Sequence, residues 1–262
     1  MSSDRRWNMG FEESVEAYDS GSQRARVWTE AWVGAWMYCP HCGADRLVRG
    51  KNNTPAGDFS CAACPEVFEL KAHKKPFGAR LVDGALATMR ERLSSDTNPN
   101  LMLMSYSAEH RRVSNLIVVP KHFFTAALIE PRKPLSPNAR RAGWVGCNIL
   151  IGDLPAAGKI DIVRNGVERP RASVMEEWRR SLFLRDQPQA NRGWLIEVMV
   201  FVDALPSTEF TLAEVYAAEE RLHALFPGNN NVRPKIRQQL QVLRDAGYLE
   251  FVERGLYRKR SS

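Results

Sequence analysis

Val67-Phe-Glu-Leu-Lys71 alternates apolar and polar side chains, the period of a strand with one buried face. Phe68 and Leu70 fall on one side, Glu69 and Lys71 on the other. Leu101–Tyr106 and Leu116–Val119 are short, mainly apolar runs, the pattern of strands buried on both faces. Residues 11–36 carry Phe11, Val15 and Tyr18, then Val27, Trp32, Val33 and Trp36, at the spacing of one helical face. A second helix is expected over residues 83–93, with Asp83 as its cap. Helices mixed with buried strands predict an α/β layer fold for this part of the chain.

The pattern changes after Arg185–Arg192, a polar stretch that reads as a linker. Trp194–Val202 is helix-like, and Thr211 is placed to cap a helix over 212–225. Pro227–Pro234 makes a turn and supplies a proline for a first helical turn. In the next helix, over 233–246, Ile236, Leu240 and Leu243 share a face. Arg237, Gln238 and Gln241 fall away from that face, with Arg244 at its edge. Leu249–Arg260 then reads as a hairpin with a basic return strand. Helix, short strand, helix, helix and hairpin is the order of an α+β winged helix, whose third helix enters the major groove. Arg and Gln on that helix have the donors and acceptors to read guanine and adenine edges. An ordinary helical tail or a protein-binding module is the alternative. The division expected is residues 1–187 and 188–262.

Length agrees, since 262 residues suggest about two domains. The 44% hydrophobic and 26% charged residues are those of an ordinary folded protein. The longest apolar run, Val198–Val202, is far short of the roughly 20 residues a membrane span needs. The N-terminus is acid-rich and lacks an apolar core, so it reads as neither secretory signal nor transit peptide. The expectation is a cytoplasmic protein with no membrane association. Net charge is +7, and it is segmented. Residues 1–106 are neutral, 107–184 carry +6, 185–231 carry −4 and 232–262 carry +5. Two basic segments suit a nucleic acid gripped from two places, although a solvated surface gives the same arithmetic.

Four of the five cysteines fall as Cys39-Pro-His-Cys42 and Cys61-Ala-Ala-Cys64, with 18 residues between the pairs. Two residues between thiolates let both converge from one tight turn, and two such knuckles complete a tetrahedral sulfur shell around Zn2+. A redox C-x-x-C would need one pair at a helix start, not two matched pairs. Four cysteines leave no open coordination position, so the zinc is structural. His41, inside a knuckle, reads as exposed, and Cys147 as a small buried residue.

The second knuckle lies between Asp58 and Glu69-Leu70-Lys71. If residues 55–60 form the partner strand of a hairpin, Asp58 returns beside Glu69 and Lys71 and the zinc fixes the hairpin tip. Two hard oxygen donors hold Mg2+, which polarises a phosphoryl oxygen and acidifies a bound water. The lysine can orient the attacking water or neutralise charge in the transition state. Asp-x10-Glu-x-Lys resembles the catalytic motif of the PD-(D/E)xK nucleases, with Ala56-Gly57-Asp58 in place of Pro-Asp. The motif alone is weak, because it recurs by chance on solvated strands. Glu30 reads as a surface acid, although nucleases of this class sometimes borrow a helical carboxylate. His73-Lys74-Lys75 is either a solvated run or a phosphate-contacting loop.

Residues 131–147 hold three prolines with Arg132, Lys133, Arg140, Arg141 and Trp144. A basic, proline-stiffened loop with an aromatic beside glycines fits a DNA contact, with cations to phosphate and a ring to a base or methyl group. A core tryptophan anchoring an irregular loop fits equally well.

Together these stretches resemble the DpnI family, restriction endonucleases that cleave DNA only where it is adenine-methylated. The resemblance runs over nearly the whole chain. It rests on the cysteines nested with Asp58 and Glu69-Leu70-Lys71, on Arg132-Lys-Pro-Leu, Ala139-Arg-Arg-Ala-Gly-Trp144 and Gly146-Cys-Asn, and on Ile236-Arg-Gln-Gln-Leu240 with Leu243-Arg-Asp. It implies a PD-(D/E)xK domain with structural zinc, then a winged helix, and Mg2+-dependent cutting of double-stranded GATC bearing N6-methyladenine. On this chain it implies catalysis by Asp58, Glu69 and Lys71, and Mg2+ held by Asp58, Glu69 and the Leu70 carbonyl. Cys39, Cys42, Cys61 and Cys64 would bind zinc, and Trp144 would sense the methyl group. Arg140, Arg141, Arg237, Gln238 and Gln241 are the further candidates for DNA recognition. A monomer with no small-molecule cofactor is expected. The competing class is a non-catalytic zinc-ribbon, winged-helix regulator or methyl-DNA reader.

Overall fold

The computed structural model describes residues 8–11, 20–50 and 57–260. In chain order its elements begin with α1 (Gly21–Trp36), β1 (Leu47–Arg49), β2 (Phe59–Cys61), β3 (Val67–His73), β4 (Leu81–Ala85) and α2 (Leu86–Ser94). Then come β5 (Asn100–Ser107), β6 (Arg112–Val119), β7 (Ile129–Pro131), β8 (Gly146–Ile149), β9 (Ile160–Arg164), β10 (Val167–Glu168) and α3 (Arg171–Ser181). The last are α4 (Gln189–Ala204), β11 (Glu209–Thr211), α5 (Leu212–Val215), α6 (Glu219–Leu225), α7 (Val232–Asp245), β12 (Leu249–Glu253) and β13 (Leu256–Lys259). Among the described residues no helix is long and apolar enough to cross a membrane.

The fold is mixed α/β and divides into two compact units. The first comprises residues 1–78, 94–121 and 159–179; the second comprises 79–93, 122–158 and 180–262.

A seven-stranded sheet, in the order β1-β2-β3-β5-β6-β9-β10, forms the first unit. β3 and β5 are parallel and every other neighbouring pair is antiparallel. Leu101 through Met104 of β5 are all buried, as a strand with neighbours on both edges and cover on both faces requires. Asn100 begins this strand fully buried, and its polar atoms are all engaged. Its Nδ2 donates to Glu66 at 2.7 Å and to the Val67 carbonyl at 2.9 Å. Its Oδ1 accepts the Lys121 N–H at 2.8 Å. Because a buried polar group left unpaired is costly, this network fixes the register of β3 against β5. Trp178 of α3 is also fully buried, 6.3 Å from the Phe68 ring centroid.

Several expectations change here. The first helix begins only at Gly21. Residues 12–19, with Val15 and Tyr18, lie outside the described residues. Phe11 is not helical: its N–H donates to the Arg111 carbonyl at 2.6 Å, and its ring stacks 6.1 Å from Trp28. Asp83 does not begin the helix, which starts at Leu86; it lies within β4, opposite Cys147 of β8. The hairpin strand expected over 55–60 is observed as β2, with residues 55 and 56 outside the described residues.

In the second unit, β4-β8-β7 form one three-stranded sheet and β11-β13-β12 another. The polar stretch at 185–192 is not all linker, because α4 starts at Gln189 and Arg192 is already buried. The helix expected over 212–225 is interrupted by a 3-10 turn at Tyr216–Ala218. A three-residue step puts side chains i and i+3 in line, and Val215, Ala218 and Leu222 all turn inward. Thr211 caps as expected: its hydroxyl accepts the Glu214 N–H at 3.2 Å, and its own N–H donates to the Glu214 carboxylate at 2.6 Å. α7 buries Ile236, Leu240 and Leu243 and exposes Arg237, Gln238, Gln241 and Arg244. β12 and β13 are the wing hairpin, turning through Gly255 at φ +80°.

Thr211→Ala should destabilise this helix start by about 1 kcal/mol, and Thr211→Ser should restore most of the loss. Urea unfolding followed by far-ultraviolet circular dichroism checks this, and equal midpoints for all three proteins would rule out the cap as a stabilising contact.

Candidate functional site

The four knuckle cysteines converge. Their Sγ atoms all lie within 4.8 Å of one another, with Cys39 to Cys64 at 3.6 Å and Cys42 to Cys61 at 3.5 Å. A tetrahedron of thiolates about 2.3 Å from a metal has edges of about 3.8 Å, so this cluster could hold a zinc ion. The first knuckle turns at Gly43, φ +79°, whose N–H donates to the Cys39 carbonyl at 2.8 Å. A side chain at Gly43 would also meet Met175 Cε at 2.9 Å. The second knuckle closes where the Cys61 N–H donates to the Glu66 carbonyl at 2.9 Å. Burial pushes the Cys39 thiol up, and that of Cys64 up to about 12. Cys61, in spite of burial, is held below the usual thiol value by the Ala63 N–H. His41 is half-buried rather than exposed, its ring 6.1 Å from that of Trp178. Cys147 is fully buried in the second unit, as expected of a small buried residue.

The hairpin expected around the second knuckle is present. β2 and β3 pair antiparallel, with Phe59 opposite Phe68 and Ser60 opposite Val67. Asp58, just before β2, donates its N–H to the Phe68 carbonyl at 2.9 Å. Its carboxylate accepts the Leu70 N–H at 2.8 Å. The side chain of Asp58 is thereby tied to the strand that carries Glu69 and Lys71, where Lys71 Nζ and Glu69 Oε1 are 2.5 Å apart. All three line an open cleft of about 870 Å³. His73, Lys74 and Lys75 also border it, at the exposed end of β3. Two half-buried carboxylates in one cleft, one already oriented by a backbone amide, are a donor set of the kind hard divalent cations take.

α1 lines the same cleft with Arg26, Thr29 and Glu30. Glu30 is not a surface acid: it is 5% exposed. One of its oxygens accepts from Arg26 Nε at 2.6 Å and the other pairs with Arg49 of β1. Hydrogen bonding to Glu30 raises the Arg26 pKa above its usual value, and the charge of Asp58 adds to this. The i,i+4 spacing of Arg26 and Glu30 was visible in the sequence, but Arg49 is distant in the chain.

In the second unit, Trp144 closes a turn within the basic loop. Its N–H donates to the Arg141 carbonyl at 3.1 Å, and its carbonyl accepts the Leu135 N–H at 2.9 Å. The Arg141 guanidinium lies 4.9 Å from the ring centroid. A Cβ at Gly146 would sit 2.8 Å from the ring, so glycine there leaves room for the indole. Trp144 is half-buried, and its Nε1–H has no protein partner among the described residues. Arg140 and Arg141 are exposed. On α7, Arg237 donates to the Tyr216 hydroxyl at 2.7 Å and Gln238 accepts from Lys235 at 2.9 Å.

Two family models match the chain. The DpnI model, described as the Dam-replacing family, covers residues 7–187. A second, described as the Dam-replacing HTH domain, covers residues 190–259.

Purified protein should carry about one zinc per chain by elemental analysis. Cys61→Ser should lose the metal together with the thermal stability of the first unit, because structural zinc contributes folding free energy directly. A zinc-free variant that melts like the parent would contradict a structural role.

Proposed function

Because the chain belongs to the DpnI, or Dam-replacing, family, we propose that it is a Mg2+-dependent endonuclease. Its substrate is double-stranded DNA at GATC sites bearing N6-methyladenine. Residues 1–187 form the nuclease part and 188–262 the winged-helix reader, acting as a monomer in the cytoplasm. One observation carries the reading: the Leu70 amide holds Asp58 in the cleft that Glu69 and Lys71 also line.

The chain's own groups divide the work. Asp58, Glu69 and the Leu70 carbonyl offer oxygen donors to Mg2+, which would polarise a phosphoryl oxygen and acidify a water. Lys71, anchored by Glu69, orients the attacking water toward the phosphorus and offsets negative charge as it develops. The zinc knuckle keeps the hairpin carrying Asp58 and Glu69 from slipping. In the second unit, Trp144 offers an apolar face to the adenine methyl group, and Arg140 and Arg141 contact phosphates. Arg237, Gln238 and Gln241 read base edges from α7, whose exposed face they occupy.

Incubated with Mg2+, the protein should fragment plasmid from an adenine-methylating host and leave plasmid from a non-methylating host intact. Cutting of neither, with binding retained, would make the protein a non-catalytic reader. Glu69→Ala should abolish cutting while binding to methylated duplex changes by less than about threefold, since the chemistry and the grip lie on separate residues. Undiminished cutting would remove Glu69 from the metal site.

Trp144→Ala and Gly146→Ala should each reduce the preference for methylated over plain duplex about tenfold, the order of one lost apolar contact. An unchanged ratio for Trp144→Ala would reassign that ring to packing.

A further inference from the structure

Attack on a phosphodiester builds negative charge on the non-bridging oxygens, and two carboxylates in the same cleft repel it. Besides Mg2+ and Lys71, which Glu69 holds at 2.5 Å, a further cation aimed at the phosphate would offset that charge. α1 supplies one. The Arg26 side chain is 56% exposed into the cleft that Asp58 and Glu69 line, while Glu30 is 6% exposed beneath it. A carboxylate so buried persists only when it is paired. Here each oxygen has a guanidinium, Arg26 on one and Arg49 on the other. With both oxygens engaged, Glu30 is poorly placed to serve as a third metal ligand. The trio is left with one surplus positive charge. The bond to Glu30 runs through Arg26 Nε, which leaves the two Nη groups at the outer end of the fork. A guanidinium fork matches two oxygens of one phosphate.

We propose that Arg26 contacts the scissile phosphate of the bound DNA through its Nη groups, and that Glu30 is the positioning residue that aims it. The inference rests on the nuclease reading of the cleft. It adds to that reading a cation on the helix wall that the Asp-x10-Glu-x-Lys motif does not contain.

The test compares the parent protein with Arg26→Ala, Arg26→Lys and Glu30→Gln on methylated duplex. Two quantities are read: the single-turnover cutting rate with Mg2+, and the salt dependence of binding with Ca2+ in place of Mg2+ and no chelator, a condition that leaves the zinc in place. Arg26→Ala should cut about 100- to 1000-fold more slowly, the loss expected for one transition-state donor. It should also lower the slope of log affinity against log salt by about one unit, the signature of one lost phosphate contact. Arg26→Lys should regain the slope but cut at least about tenfold more slowly than the parent, because a point charge lacks the fork. Glu30→Gln should cut about tenfold more slowly at an unchanged slope, since the cation remains but is no longer held.

A parent that cuts beside an Arg26→Ala variant with full rate and unchanged slope overturns the inference and leaves the nuclease reading standing. A slowed Arg26→Ala with unchanged slope also overturns it, since a purely structural role would behave so. Should Arg26→Ala fail to fold, Arg26→Lys decides: cutting at the full rate overturns the inference. A parent that cuts no DNA at all defeats the nuclease reading, and the inference with it.

Discussion

A hairpin only two residue pairs long, Phe59 with Phe68 and Ser60 with Val67, has little means of holding its own register in water. Every group in the cleft depends on that register, since a slip of one residue would turn Glu69 and Lys71 away and bring Phe68 round. Three constraints act on it. The cysteine cluster closes the tip, the Asp58 N–H and carboxylate bond β3 at the open end, and Asn100 ties the start of β5 to Glu66 and Val67. The strand carrying Glu69 and Lys71 is thus fixed at its end and along its edge, and a cleft can be built on rigid backbone rather than on a loop.

The parts of the site that were legible in the sequence are those where chemistry dictates spacing. Two C-x2-C pairs can hardly be anything but a shared shell, and strand alternation put Glu69 and Lys71 on one face. Thr211 reads as a helix cap, and it is one, with Glu214 closing a capping box. The misreadings share a cause. Asp83 looked like a cap because an acid before an apolar run usually is one, whereas pairing with Cys147, far along the chain, makes it part of a strand. Glu30 reads as a surface acid because it is a carboxylate on an amphipathic helix, yet it is 5% exposed. Its burial comes from β1 and β3 folding over α1, which no local pattern records. The compact units are equally non-local, since each gathers three separate stretches of chain.

Net charge acquires meaning once the ion pairs are assigned. Several arginines of the basic segments are already committed to carboxylates: Arg164 to Asp161, Arg169 to Glu177, Arg179 to Glu176, Arg233 to Glu219 and Arg258 to Glu209. Among the described residues Arg132, Lys133, Arg140 and Arg141 enter no ion pair. The Trp144 loop thus holds four cations that need not give up a carboxylate to meet a polyanion. Segment totals alone did not separate these from the committed ones.

The neighbours of β3 reach it at different times. β2 is adjacent in sequence, but the parallel partner β5 begins at Asn100, after the chain has passed through β4 and α2 of the other unit. Contacts of such large sequence separation form late, and chains emerge from the ribosome N-terminus first. A nascent chain ending before residue 100 therefore carries all four knuckle cysteines, Asp58, Glu69 and Lys71, yet lacks the strand that holds Glu69 and Lys71 in place. Synthesis order itself delays assembly of the cleft until much of the molecule exists.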